Sequence, residues 1–147
     1  MNEREENAKK AYLEVLSTIP GVRFIEFIHV GFGPPGRASA LSPTKLLGRI
    51  SIKAPAEEII SWMRNILILC RIEGIFIFKF FDYYHQAIPP WAKVHFSNNY
   101  EWIDKLYFDG RALSFLSEDG MFLLIFSDRE GYYEAETHTE TDDSTIQ

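Results

Sequence analysis

The chain reads as a single α+β domain, and three observations carry that expectation. Segments 22–30, 75–84 and 121–127 are apolar on both faces, as inner strands are. Two stretches repeat their apolar residues at three- and four-residue spacing, as buried-face helices do. The last third alternates strand-like runs with turn residues. At 147 residues, one domain can bury a core without staples. The expected order is α-β-β-α-β-α-β-β-β. This gives an antiparallel or mixed sheet with a C-terminal three-stranded meander, an N-terminal helix, and a buried central helix packed on the sheet. The domain is placed at residues 1–139, and the acidic segment 140–147 is expected to be disordered.

The first helix is expected from about Glu3 to Thr18. Ala8, Ala11, Tyr12, Val15 and Leu16 form its apolar stripe, and Pro20-Gly21 stops it. "VRFIEFIHV" comes next as an inner strand. A Gly/Pro/Ser loop over 31–47 leads to a short strand, "RISIK", at Arg49–Lys53. Pro55 suits the first turn of the second helix, and Glu57 and Glu58 sit where carboxylates favour the positive dipole end. Ile59, Met63, Ile66, Leu67 and Cys70 line one stripe, widened by Ile60, Trp62 and Leu69, so most of this helix should be buried. Gly74 is the expected stop. "IFIFKFFDYY" reads as a central strand, and Pro89-Pro90 bars further pairing. A short helix, "YEWIDKLYF", is capped by Ser97, Asn98 or Asn99, with Glu101 in the capping-box position if Asn98 is the cap. The meander is "RALSFL", "MFLLIF" and "YYEAETHT", joined by turns at Asp119-Gly120 and "DREG". In the last strand Glu134, Glu136 and His138 share a face, which reads as an edge strand with a wet side.

Charge narrows the partners. The net charge is −6, and residues 1–116 carry 14 Lys/Arg against 12 Asp/Glu, whereas 117–147 carry only Arg129 against nine acids. This acidic C-terminal stretch argues against general nucleic-acid binding, which needs a basic stripe. It suits a basic protein partner. The N-terminus, "MNEREENAKK", is charged, and no apolar run approaches the ~20 residues of a membrane span. One cysteine fits a reducing compartment, so a cytoplasmic location and no membrane association are expected.

The chemistry-bearing motifs are weak. Gly31, Gly33 and Gly36 spell G-x-G-x-x-G after a strand. Pro34 and Pro35 remove N–H donors where a pyrophosphate would need them, and no helix comes after them. No nucleotide or other cofactor is expected. Asp82-x-x-His85 points to opposite faces of a strand unless His85 lies past the strand end, and Glu134, Glu136 and His138 could hold only a loose cation, so no metal site is expected. Cys70, on an apolar stripe near a helix C-terminus, reads as an inert thiol. Glu26 and Asp82 on apolar strands, with His85, are the remaining catalytic candidates. Lys79, also on an inner strand, offers either acid a structural ion pair instead.

The richest stretch is "FFDYYHQAIPPWAKVHF". Tyr84, His85 and Trp91, with Trp102 beyond, are aromatic or polar-tipped anchors of the kind interfaces use. The stiff Pro-Pro-Trp corner should leave Trp91 partly exposed. The functional expectation is a non-catalytic protein-binding module. It contacts a basic partner through Tyr84, His85, Trp91, Trp102, Glu134 and Glu136. By type it would neutralise or escort that partner, as immunity and antitoxin proteins do. The alternative is a small-molecule-binding protein or hydrolase with a cleft at the strand ends near Asp82 and His85.

Overall fold

A computed structural model describes residues 3–28, 44–82, 91–106 and 111–139. Three helices are seen: α1 (Glu3–Ser17), α2 (Ala56–Leu69) and the single turn α3 (Ile103–Leu106). Seven strands accompany them: β1 (Val22–Ile28), β2 (Thr44–Ser51), β3 (Gly74–Asp82), β4 (Trp91–Phe96), β5 (Arg111–Ser117), β6 (Phe122–Arg129) and β7 (Tyr132–Thr139). They form one antiparallel sheet in the order β1-β4-β3-β5-β6-β7-β2. The α+β class and the C-terminal meander β5-β6-β7 are as the sequence predicts.

The helices cover one face. Tyr12 and Leu16 of α1, Ile59, Met63 and Leu67 of α2 and Trp102–Ile103 at the start of α3 pack with Phe78, Val94, Phe96, Phe115, Leu124, Phe126 and Tyr133 of the sheet. Burial of this much apolar surface dominates the stability. Tyr12 also donates its hydroxyl to the Phe78 carbonyl at 2.6 Å, which pins α1 over the central strand. Burial pushes the Tyr12 phenol well above its usual pKa, so it remains a donor. The other face carries a smaller buried cluster, Ile77, Trp91, Leu116 and Leu123, with Ile28 and Ile125 packed against it. This second layer explains why β3 and β6 are apolar on both faces.

Several expectations are corrected. β1 is an edge strand, not an inner one. A bulge between Phe24 and Glu26 shifts its phase. Phe24 and Phe27 therefore both reach the helix side, 4.8 Å apart and beside Tyr12. A one-sided strand with a bulge mimics a two-sided one. β7 is not an edge strand, because β2 pairs with it from Tyr132 to His138. β2 begins at Thr44, so Thr44–Leu47 belong to the sheet rather than to the preceding loop. β4 is a seventh strand within what reads as irregular sequence. Ala92, Val94 and Phe96 face the helices, and Trp91, Lys93 and His95 the other side.

The connections differ too. Six antiparallel steps separate β1 from β2, so the two run in the same direction on opposite edges. At ~4.8 Å per strand those edges lie about 29 Å apart along the sheet. They are not the antiparallel neighbours that a loop joining them would suggest. The glycine motif at 31–36 and the acidic segment 140–147 lie outside the described residues.

Helix ends also depart from expectation. α2 closes with a Schellman motif: Ile72 N donates to Leu67 O at 3.0 Å and Arg71 N to Ile68 O at 3.1 Å. The left-handed residue that closes the helix is Arg71, at φ 55°, whereas Gly74, at φ 78°, comes later, at the start of β3. The turn before α3 is capped by Asn99, whose Oδ1 accepts from Glu101 N at 3.0 Å, so the Asn98 capping box does not form.

Candidate functional site

The anticipated aromatic corner does not assemble into one surface. Tyr84 and His85 lie outside the described residues, as does the side chain of Asp82 at the end of β3. Trp91 is 9 % exposed and Trp102 1 %, so the expected exposure of Trp91 is not found. The two sit in different clusters on opposite faces of the sheet. Trp102 stacks on Phe96 at 4.5 Å and donates its indole N–H to Ser97 O. Trp91 lies under the Lys79 ammonium, 4.6 Å from its ring centroid.

The charged candidates pair within the chain. Glu26 does not meet Lys79; its partner is Lys93 at 3.7 Å, which also reaches Glu118 at 3.7 Å. The β1–β4 and β3–β4 registers explain this, since Lys93 stands directly between Glu26 and Ile77. Glu134 is largely covered and lies between Arg49 at 3.6 Å and Arg129 at 3.9 Å, and Arg49 stacks on Tyr132. Glu136 lies 3.4 Å from His138 Nε2. The Glu134 carboxylate thus meets cations of its own chain before any partner arrives, and Glu136 already lies beside a side chain of its own strand. Cys70 is half-buried, and burial raises its thiol pKa, which keeps it protonated. Among the described residues no three of His, Cys, Asp and Glu converge as metal ligands would. No described helix is long and apolar enough to cross a membrane.

A different region gathers unusual features: the end of the sheet where α2 hands over to β3, β4 turns toward α3, and the β5–β6 hairpin closes. Among the described residues, the two non-glycine ones with positive φ, Arg71 at 55° and Tyr100 at 60°, both sit here. Such a conformation costs ~1–2 kcal/mol per residue, and it concentrates where surrounding structure holds a particular geometry. The two are electrostatic neighbours. The Tyr100 phenol is raised first by burial and then by the Glu73 carboxylate, with Arg71 opposing. A cleft of about 450 Å³ opens beside them, lined by Glu73, Gly74, His95 and Phe96–Asn98. A second, about 530 Å³, lies between Gly21, Asn99, Trp102 and the Arg64–Asp104 ion pair. The turn between the clefts is firmly built: Ser97 N donates to Gly21 O at 2.8 Å, and Ser97 Oγ to Asn99 Oδ1 at 2.9 Å.

The same end exposes aliphatic surface. Leu69 is 71 % exposed, Ile68 49 %, Met121 41 % and Ile75 36 %. Leu69 is thus not part of the buried stripe expected for α2. The wide helical stripe ends one turn early, because Leu67 and Ile72 close the core beneath the Schellman turn. Met121 is held by the hairpin, where Asp119 Oδ1 accepts from its N–H at 2.9 Å and from Ser117 Oγ at 2.7 Å. Sequence reasoning misses these residues because an exposed leucine has the same periodicity as a buried one. The available signal is the apolar run "ILILC" continuing past the end of the helical stripe.

No protein-family model, curated protein or solved structure matches this chain.

Proposed function

We propose that the chain is a non-catalytic, cytoplasmic protein-binding module that grips a basic protein partner with this end of the sheet. The observation that supports the reading is the exposure of Leu69, Ile68, Met121 and Ile75 at one end of the sheet. Exposed aliphatic side chains beside charged ones are common at protein interfaces. The rim carries the exposed carboxylates of Glu73 and Glu101, which favour Lys and Arg on the partner. The rigid turns at Arg71 and Tyr100 present the patch in one conformation, which lowers the ordering cost of association. The aromatic corner is set aside as the contact surface because Trp91 and Trp102 are already covered. A neutralising or escort role fits a module that binds without transforming its partner.

The test is affinity capture from a lysate of the source organism with three baits: wild type, Leu69→Glu with Met121→Glu, and Leu13→Glu. Leu13 is an exposed residue on α1 and serves as the control. The expected result is a basic protein held by wild type and Leu13→Glu and lost from the double variant. Equal recovery by all three baits, or an acidic protein as the specific catch, contradicts the reading.

A further inference from the structure

The two edges of the sheet are unlike. β1 carries Arg23 and Glu26, one charge of each sign, and α1 packs beside it. β2 carries Lys45 and Arg49, with Lys53 just beyond its end, and no acid falls between Thr44 and Ala56. In a chain of net charge −6 this is a local reversal of sign. The cations flank the edge from both sides of the sheet. Arg49 lies opposite Glu134 on the face away from the described helices, and Lys45 lies opposite the buried Thr137 on the helix face. The apolar residues Leu46 and Ile52 are 47 % and 40 % exposed along the same edge. β2 pairs with β7 alone among the described strands, so its outer row of backbone N–H and C=O groups is a template for another strand.

We propose that β2 is a docking edge for an extended acidic segment of another protein, which joins the sheet as an additional strand. Main-chain hydrogen bonds would supply affinity, and Lys45, Arg49 and Lys53 would select acidic side chains. The regular stretch Gly48–Ser51, beyond the bulge between Leu46 and Gly48, sets the register. Gly48 is what lets this edge lie flat on α2, since a Cβ there would stand 3.3 Å from the Trp62 indole nitrogen. A second copy of the chain is the poorer occupant. Pairing β2 with itself would bring both sets of cations to one seam, where like charges oppose association. The proposal shares no residue with the sheet-end contact and stands or falls separately from it.

The probe is an end-blocked octapeptide of alternating Glu and Val, compared with its Lys/Val counterpart and with its fully N-methylated analogue. Binding is measured by calorimetry, and the site is located by amide hydrogen exchange. The expected result is saturable binding of the Glu/Val peptide alone, with new protection confined to residues 44–51. Lys45→Glu with Lys53→Glu should weaken it about tenfold or more without changing the melting temperature. Arg49 is left in place because it pairs with Glu134. No binding at millimolar peptide overturns the proposal. So does equal binding of the N-methylated analogue or of the double variant, or protection elsewhere. Sedimentation showing that the free protein self-associates, and that the double variant does not, assigns the edge to a second copy and overturns it as well.

Discussion

Truncating Trp91 to alanine should cost stability rather than partner affinity. The ring is 9 % exposed and packs with Ile77, Leu116 and Leu123 on the face away from the described helices. It lies opposite Ile28 across the β1–β4 pair and carries the Lys79 ammonium at 4.6 Å. Removing a buried aromatic side chain typically costs ~3–5 kcal/mol. Of that, the cation–π contact contributes about 0.5–2 kcal/mol. For a chain of this size each kcal/mol moves Tm by about 2–4 °C, so a fall of roughly 6–20 °C is expected. Thermal and urea denaturation followed by circular dichroism measure it. Adding Trp91→Leu and Lys79→Met singly and together isolates the ammonium–ring coupling. A Trp91→Ala protein that melts within about 1 °C of wild type would refute the reasoning. The second cluster would then be surface, and the aromatic corner would return as the contact candidate.

Three further outcomes rest on the same geometry. Gly21 and Gly74 both have positive φ, at 88° and 78°, but an added Cβ meets Ser97 Oγ at 2.6 Å at the first and nothing within 4 Å at the second. Gly21→Ala should therefore cost clearly more in urea unfolding than Gly74→Ala, whose loss should stay near the ~1–2 kcal/mol of backbone strain alone; equal losses refute the crowding argument. Arg71→Gly removes left-handed strain from the C-terminus of α2 and should raise stability by about 0.5–1 kcal/mol after the entropy of glycine is subtracted; a loss of stability would mean the Arg71 side chain contributes more than the strain costs. Burial lowers the Lys79 pKa below its usual 10.5. Between the folded and unfolded values the unfolded chain holds the extra proton, so stability should rise with pH as it climbs toward 10.5, relative to Lys79→Met. A flat difference between the two proteins across that range contradicts the burial of the amine.

How much of the fold the sequence discloses depends on how each element is covered. β3 and β6 are legible because helices bury one face and the Ile77–Leu123 cluster the other, which leaves continuous apolar runs. The meander is legible because Asp119-Gly120 and Gly131 are turn residues, with Gly120 and Gly131 at positive φ. β1 misleads because its bulge after Phe24 converts one apolar face into an apparent pair. β7 misleads because alternation reports a wet face, whereas edge position depends on whether another strand arrives. That strand, β2, comes from far upstream and carries Arg49 to Glu134. β4 has a clean period of two in "WAKVHF", but Pro89 and Pro90 just before it signal a break in pairing and mask the strand that starts at Trp91. The candidate site is illegible for a similar reason. Exposure of Leu69 and Met121 is decided by where the core closes beneath them, not by the residues themselves.

The most direct test of the central claim is an amide hydrogen-exchange footprint of the complex with the captured partner. Contact through the sheet end predicts protection gained over residues 68–75 and 117–122, the segments that carry Ile68, Leu69, Ile75 and Met121. Protection confined instead to 91–96 or to 132–138, with 68–75 and 117–122 unchanged, would contradict it.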